Sequence, residues 1–201
     1  MATPPARSSA ADMLPPVFIA GCGRSGTTYL KTLIDAHPAI YIPTESLFLL
    51  DYLARGDCLP AVLLRRLFFA EPQLRAWYQG QSVEMPSIPD LVAWVHQQAA
   101  DGTARRWGQK TPRFIRRMNL FNAAFPGARW ILLHRDPRAV VSSMLRSKRH
   151  TYSVRRACCR WRRDNAEVLR AKLSPSAQVL VISFEDLVSR LVPRCENAEA
   201  M

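Results

Sequence analysis

Gly21-Cys22-Gly23-Arg24-Ser25-Gly26-Thr27-Thr28 is the stretch whose residue types and spacing are best suited to chemistry. An apolar run, Val17-Phe18-Ile19-Ala20, precedes it, and Tyr29-Leu30-Lys31-Thr32-Leu33-Ile34, which reads as a helix, follows. A buried strand, a glycine turn and a helix N-terminus make an anion cradle, because backbone N–H groups point outward and the helix dipole favours negative charge. The spacing is that of the phosphate loop G-x-x-x-x-G-K-[ST], with Thr27 in place of the lysine. That lysine reaches the β- and γ-phosphates of a nucleoside triphosphate, so its absence argues against triphosphate hydrolysis. Arg24, Ser25, Thr27 and Thr28 remain as donors around Gly26. The plainer reading is a strand-to-helix turn that holds no ligand; the arginine and the hydroxyl cluster weigh against it.

A second cluster is His134-Arg135-Asp136-Pro137-Arg138. Arg135 ends an apolar strand, Asp136 is a good N-cap and Pro137 fits the first helical position. Ser143, eight residues after Arg135, falls within the first two turns of that helix. An arginine at a strand end and a hydroxyl on the adjoining helix can converge on one phosphate, which the planar guanidinium fork grips with two hydrogen bonds. Alternatively, Arg135 pairs with a carboxylate and Ser143 only packs.

The elements that must position these residues alternate between strand and helix. Buried strands are expected at 17–20 and 129–133, a short strand at 39–42 and one more strand at 179–182, with helices over 29–34 (stopped by His37-Pro38), 112–125, 137–148 and 153–172. Trp107-Gly108-Gln109-Lys110-Thr111-Pro112 reads as a loop with at most a short strand. Residues 46–105 read as several helices divided by prolines 60, 72, 86 and 89, forming a wall of the site. The order predicts an α/β fold, a three-layer, mainly parallel sheet with helices on both faces. Ligands in such sheets bind beyond the carboxyl ends of the strands, where Gly21 and Arg135 both fall.

Composition sets the outer limits. A chain of 201 residues with 48% apolar content suits one globular domain, here 16–201, after a loose Ala/Pro/Ser-rich tail over 1–15. The net charge of +12 is uneven: 105–170 holds eighteen Arg and Lys against Asp136, Asp164 and Glu167. Such a field attracts polyanions, whether nucleic acid, anionic lipid or a multiply phosphorylated small ligand. The five cysteines lack metal-ligand spacing and read as reduced thiols, with Cys158-Cys159 as small buried hydrophobes in a helix. No apolar run reaches the roughly 20 residues of a membrane span, and no leader is evident, so the cytoplasm is the expected location.

With both motifs in place, the chain resembles the sulfotransferases that use 3′-phosphoadenosine-5′-phosphosulfate. Gly23-Arg24-Ser25-Gly26-Thr27-Thr28 is similar to their 5′-phosphosulfate loop, and Arg135 with Ser143 to their 3′-phosphate motif. The stretch from Arg24 to Glu45, with Leu33-Ile34-Asp35-Ala36-His37-Pro38, looks most like the tyrosylprotein-type and bacterial members. The resemblance, over about 16–190, implies a P-loop fold and a sulfuryl transfer that needs no metal. It implies Glu45 as the base and Lys110, in Gln109-Lys110-Thr111-Pro112, beside the transferring group. A small-molecule, carbohydrate or peptide acceptor follows, with no specific nucleic acid and no implied oligomeric state. The plainer alternatives, a helix-capping acid for Glu45 and a solvated surface lysine for Lys110, carry less weight than the catalytic roles. Two departures stand out: Phe184-Glu185-Asp186-Leu187 replaces a Tyr-Glu-Asp-Leu segment, and the chain ends at Met201, sooner than most relatives. The second leaves an inactive nucleotide-binding relative as one alternative. A basic nucleic-acid module using Arg146 to Arg163 is another.

Overall fold

A computed structural model of the chain describes residues 14–43, 45, 48–55, 89, 92, 96, 104–147, 152–173 and 178–196. Five strands form one sheet: β1 (Leu14–Gly21), β2 (Ile40–Tyr41), β3 (Arg106–Lys110), β4 (Arg129–His134) and β5 (Val179–Ser183). Their order is β2-β3-β1-β4-β5, and every neighbouring pair runs parallel. The six α-helices described are α1 (Thr27–Asp35), α2 (Phe48–Arg55), α3 (Met118–Ala124), α4 (Pro137–Leu145), α5 (Val154–Leu173) and α6 (Phe184–Glu196). A 3-10 turn over Pro112–Arg117 leads into α3.

The layers follow from the two faces of β1. Phe18, fully buried, points into an aromatic cluster of Trp107, Phe114, Phe121, Phe125 and Trp130, with ring centroids 5.0–5.9 Å from its own. The 3-10 turn, α3 and α5, through Val168, close this face. Val17 and Ile19 point the other way, onto Leu30 and Ile34 of α1 and Leu187 of α6. Alternating residues of a central strand thus fill two separate cores, as a sheet covered on both faces requires. A third cluster of Cys22, Val140, Met144 and Ala157 seals α4 and α5 against the loop after β1.

β3 is a full inner strand, where the sequence suggested mainly a loop. Its residues Arg106-Trp107-Gly108-Gln109-Lys110 lack an apolar run because the strand packs by other means. A Cβ on Gly108 would lie 2.4 Å from the Val17 carbonyl oxygen, so only glycine permits this approach to β1. Gln109 is buried against His96, and Trp107 carries the apolar area. The expected helix over 112–125 is instead a 3-10 turn followed by α3. α6, directly after β5, was not foreseen. The helical segment expected over 46–105 lies largely outside the described residues. Cys158 and Cys159 are exposed, not buried. The inner stripe of α5 runs through Ala157, Asp164 and Val168, at helical spacing, and leaves both thiols off it.

Candidate functional site

Four parallel strands deliver the functional residues to one rim. The cradle follows β1, Lys110 ends β3, Arg135 follows β4, and Phe184 follows β5. At this rim lies a cleft of about 560 Å³ whose lining includes Arg24, Gly26, Thr27, Thr28, Glu45, Lys110, Arg135 and Ser143. Ser25 differs from its neighbours: its side chain is fully buried beneath the loop and does not line the cleft.

The cradle leaves the start of α1 open. Gly26 precedes α1 at φ 95°, no side chain caps the helix, and its first turn carries no acid. A Cβ on Gly26 would sit 2.3 Å from the Phe184 ring, so glycine is required by both conformation and space. Arg24 is the one non-glycine residue at positive φ among those described, at 74°. Its Nε donates to Ser143 Oγ at 3.0 Å, tying this loop to α4.

Arg135 is fixed at both ends. Its carbonyl accepts from Trp161 Nε1 at 3.1 Å, and its guanidinium lies 4.2 Å from the centroid of the Phe184 ring. Asp136 caps α4 by accepting from the Arg138 N–H, and Glu185 accepts from the Asp136 N–H at 3.0 Å. The Arg138 guanidinium beside Asp136 holds its carboxyl at a pKa of about 2. Phe184, a departure from the tyrosine pattern, thus bridges the two anion motifs by packing on Gly26 and under Arg135. No feature of the sequence distinguished it as more than a lost hydroxyl.

Among the described residues, three buried donors have no hydrogen-bond partner, Ser25 Oγ, Arg135 Nε and Arg160 Nε, and the last two belong to residues that line the cleft. Buried polar groups are nearly always paired, and for the two arginines at the cleft a phosphate oxygen is an acceptor of the right kind.

Glu45 and Lys110 meet. Lys110 Nζ donates to Glu45 Oε2 at 2.6 Å, with the lysine side chain 6% exposed and the carboxylate 41%. The buried lysine stem comes from β3, where Lys110 lies opposite Ile19. Asp35 steadies the approach to Glu45: it accepts from the Ile42 N–H at 2.9 Å and pairs with Lys31 at 2.6 Å. His37 is exposed and accepts from the Ala39 N–H, a role at the helix end.

Sequence reasoning missed Arg113, Tyr152 and Arg160, which also line the cleft. Arg160 is rooted by Asp164, which is buried, accepts two hydrogen bonds from Arg116 and lies 3.7 Å from Arg160 Nε. The i,i+4 pair of Arg160 with a rare acid in a basic helix was the available signal. Cys22 packs beside the same carboxylate; burial, and then the Asp164 charge, push its thiol up to about 12. It is a neutral packing group at physiological pH.

A family model described as the sulfotransferase family matches residues 15–197, so the chain belongs to that family. Protein-tyrosine sulfotransferase 1 of Danio rerio is 25% identical over 189 residues, which is 87% of this chain and 49% of that protein. A putative protein-tyrosine sulfotransferase of Caenorhabditis briggsae is 22% identical over 190 residues, 87% of this chain and 60% of that protein. The chain therefore spans about half the length of the curated relatives it matches. Among solved structures, the sulfotransferase domain of the Synechococcus PCC 7002 olefin synthase aligns with TM-score 0.63 and 24% identity, over 96% of this chain and 75% of that one. The sulfotransferase domain of the curacin biosynthetic pathway gives 0.62 and 19%, over 90% and 71%. Both share the parallel α/β fold. Among the described residues, no helix is long and apolar enough to cross a membrane.

Proposed function

We propose that this chain transfers a sulfuryl group from 3′-phosphoadenosine-5′-phosphosulfate to a hydroxyl or amine acceptor. The observation that carries the reading is the Glu45–Lys110 pair in the same cleft as both anion motifs. When bound, the donor supplies a sulfuryl group on a phosphate that can leave as adenosine 3′,5′-bisphosphate.

The residues present fit that donor. The loop amides with Thr27 and Thr28 would hold its 5′-phosphosulfate at the start of α1. Arg135 and Ser143 would hold the 3′-phosphate, and the unpartnered Arg135 Nε gives that phosphate a donor already desolvated. Glu45 takes the proton from the acceptor heteroatom, which forms the new bond to sulfur as the bond from sulfur to the phosphate oxygen breaks. Lys110 faces the negative charge that gathers on the leaving phosphate, and Thr27 and the loop amides share it. In the structure, Lys110 is turned to Glu45. With a phosphosulfate in the cradle, Lys110 would turn its ammonium to that group, and Glu45 would be left free to accept a proton. The relatives' names make peptide tyrosine the first acceptor to test, with small alcohols and sugars beside it.

The test is release of adenosine 3′,5′-bisphosphate from the donor with a panel of tyrosine peptides, phenols and sugars. Acceptor-dependent release by the wild type, lost in Glu45→Gln, is expected. Equal release by both proteins would remove Glu45 from the mechanism. No release with any acceptor, together with no binding of the bisphosphate, would overturn the donor assignment.

A further inference from the structure

A second cavity, of about 740 Å³, adjoins the cleft at Arg160. Its wall carries Arg113, Arg116, Arg156, Arg160, Arg162 and Arg163, and among the described residues none that lines it is an acid. Arg113, Tyr152 and Arg160 line the transfer cleft too, so the two spaces share a wall. Arg113 stands three residues beyond Lys110, which places one end of the groove beside the catalytic pair. Arg160 is the hinge between the spaces: its guanidinium hydrogen-bonds Tyr152, and a Cβ on Gly23 would lie 2.9 Å from its Nη2.

The groove's charge is held in place. Asp164 sits buried beneath it and takes up Arg116 and one side of Arg160. Arg113, Arg156, Arg162 and Arg163 are exposed and face solvent with like-charged neighbours. Such crowding is unfavourable without an anion. The other described residues of the lining are Tyr152, Cys159 and Ala166, which offer little apolar surface beside six arginines.

We propose that this groove binds the phosphate groups of the acceptor, so that the chain sulfates a molecule already phosphorylated. The acceptor role rests on the sulfuryl-transfer reading above; the binding site does not. Phosphate is preferred to carboxylate on charge density. A phosphate monoester brings close to two negative charges and three acceptor oxygens to one point, and guanidinium forks grip it in pairs. Two such groups neutralise four arginines within a cavity of this size, where carboxylates would need twice as many groups.

The test uses pyrophosphate as probe, titrated calorimetrically into protein first saturated with adenosine 3′,5′-bisphosphate, which fills the cleft. Arg156→Gln with Arg163→Gln is the informative variant, since both residues line the groove, both are exposed on α5, and neither lines the cleft. Pyrophosphate is expected to bind the saturated wild type. The double variant should lose at least about tenfold in that affinity, in keeping with two charge-assisted contacts, while its bisphosphate affinity stays at the wild-type value. No pyrophosphate binding to the saturated wild type, or undiminished binding in the double variant, would overturn the proposal. So would tighter binding of a tetraglutamate peptide, which marks a carboxylate site. Tighter binding of a single-stranded oligonucleotide, with a steep salt dependence, would also overturn it. If adenosine bisphosphate fails to bind the wild type, the donor assignment falls instead, and the groove is still judged by the pyrophosphate difference between wild type and double variant.

Discussion

Arg24 Nε donates to Ser143 Oγ across 3.0 Å, closing a separation of 119 residues in sequence. The contact joins the loop after β1 to the helix after β4, so the two anion motifs are one unit. Because Ser143 accepts from Arg24, its own hydroxyl proton is left to point at a ligand. Arg24 is held at φ 74° in the process, a conformation that costs a non-glycine residue about 1 kcal/mol or more.

Arg24→Gly should therefore separate stability from binding. The backbone strain disappears, and stability should stay level or rise by up to about 1 kcal/mol. The lost charged hydrogen bonds should weaken adenosine bisphosphate at least about tenfold, at roughly 1.5–3 kcal/mol each. Denaturant midpoints and calorimetry on the same sample read both effects. A variant that is clearly less stable would show that the arginine side chain holds the loop.

Glu45 and Lys110 should differ in what they cost. Glu45→Gln should lower kcat by about 10²–10⁴, the usual worth of a general base, with donor KM little changed. Lys110→Ala should lower kcat and also weaken the nucleotide, because the ammonium would touch the phosphosulfate. A Glu45 variant with near-normal turnover would place the base elsewhere.

Phe184 should govern the reading of the 3′-phosphate although it cannot donate a hydrogen bond. Its ring carries the Arg135 guanidinium at 4.2 Å. A cation–π contact of this kind contributes about 0.5–2 kcal/mol. Phe184→Leu should weaken adenosine bisphosphate by roughly two- to thirtyfold on that basis, with AMP affected less. Equal losses for both nucleotides would assign the ring to packing on Gly26 alone.

How much of this was legible in the sequence depended on what each residue needs to signal itself. The strands around Ile19 and Leu132 announced themselves by apolar runs, and Asp136-Pro137 by helix-start chemistry. Arg24, Arg135, Ser143, Glu45 and Lys110 each stood in a motif, and the structure brings all five to one cleft. β3 stayed hidden because Gly108 and Gln109 serve close approach and a buried hydrogen bond, neither of which leaves a periodic pattern. Arg160 and Arg113 were hidden for a different reason. In a chain with 28 Arg and Lys, only the fold shows which arginines are rooted on Asp164 or set beside Lys110.

His96 should make the fold acid-sensitive. Burial holds its imidazole neutral and lowers its pKa to about 4, against 6.5 when exposed; it packs 4.4 Å from Trp107, centroid to centroid. Unfolded chains take up that proton below pH 6.5, whereas the folded protein does so only near pH 4. Stability from this group is thus complete above pH 6.5 and lost as pH falls from 6.5 to 4, on the order of 3 kcal/mol at most. Denaturant midpoints across that window should fall less in His96→Gln than in the wild type. An identical fall in both would assign the acid sensitivity to other groups.

The most direct measurement is the calorimetric affinity of adenosine 3′,5′-bisphosphate, AMP and ATP for the wild type and for Arg135→Ala. A donor site of the kind described predicts that the bisphosphate binds the wild type most tightly, since Arg135 and Ser143 have nothing to hold in AMP. It also predicts that Arg135→Ala loses at least about tenfold for the bisphosphate, one charged hydrogen bond or more, and little for AMP. Tighter binding of ATP than of the bisphosphate by the wild type, or equal losses for both adenosine phosphates in Arg135→Ala, would contradict the assignment.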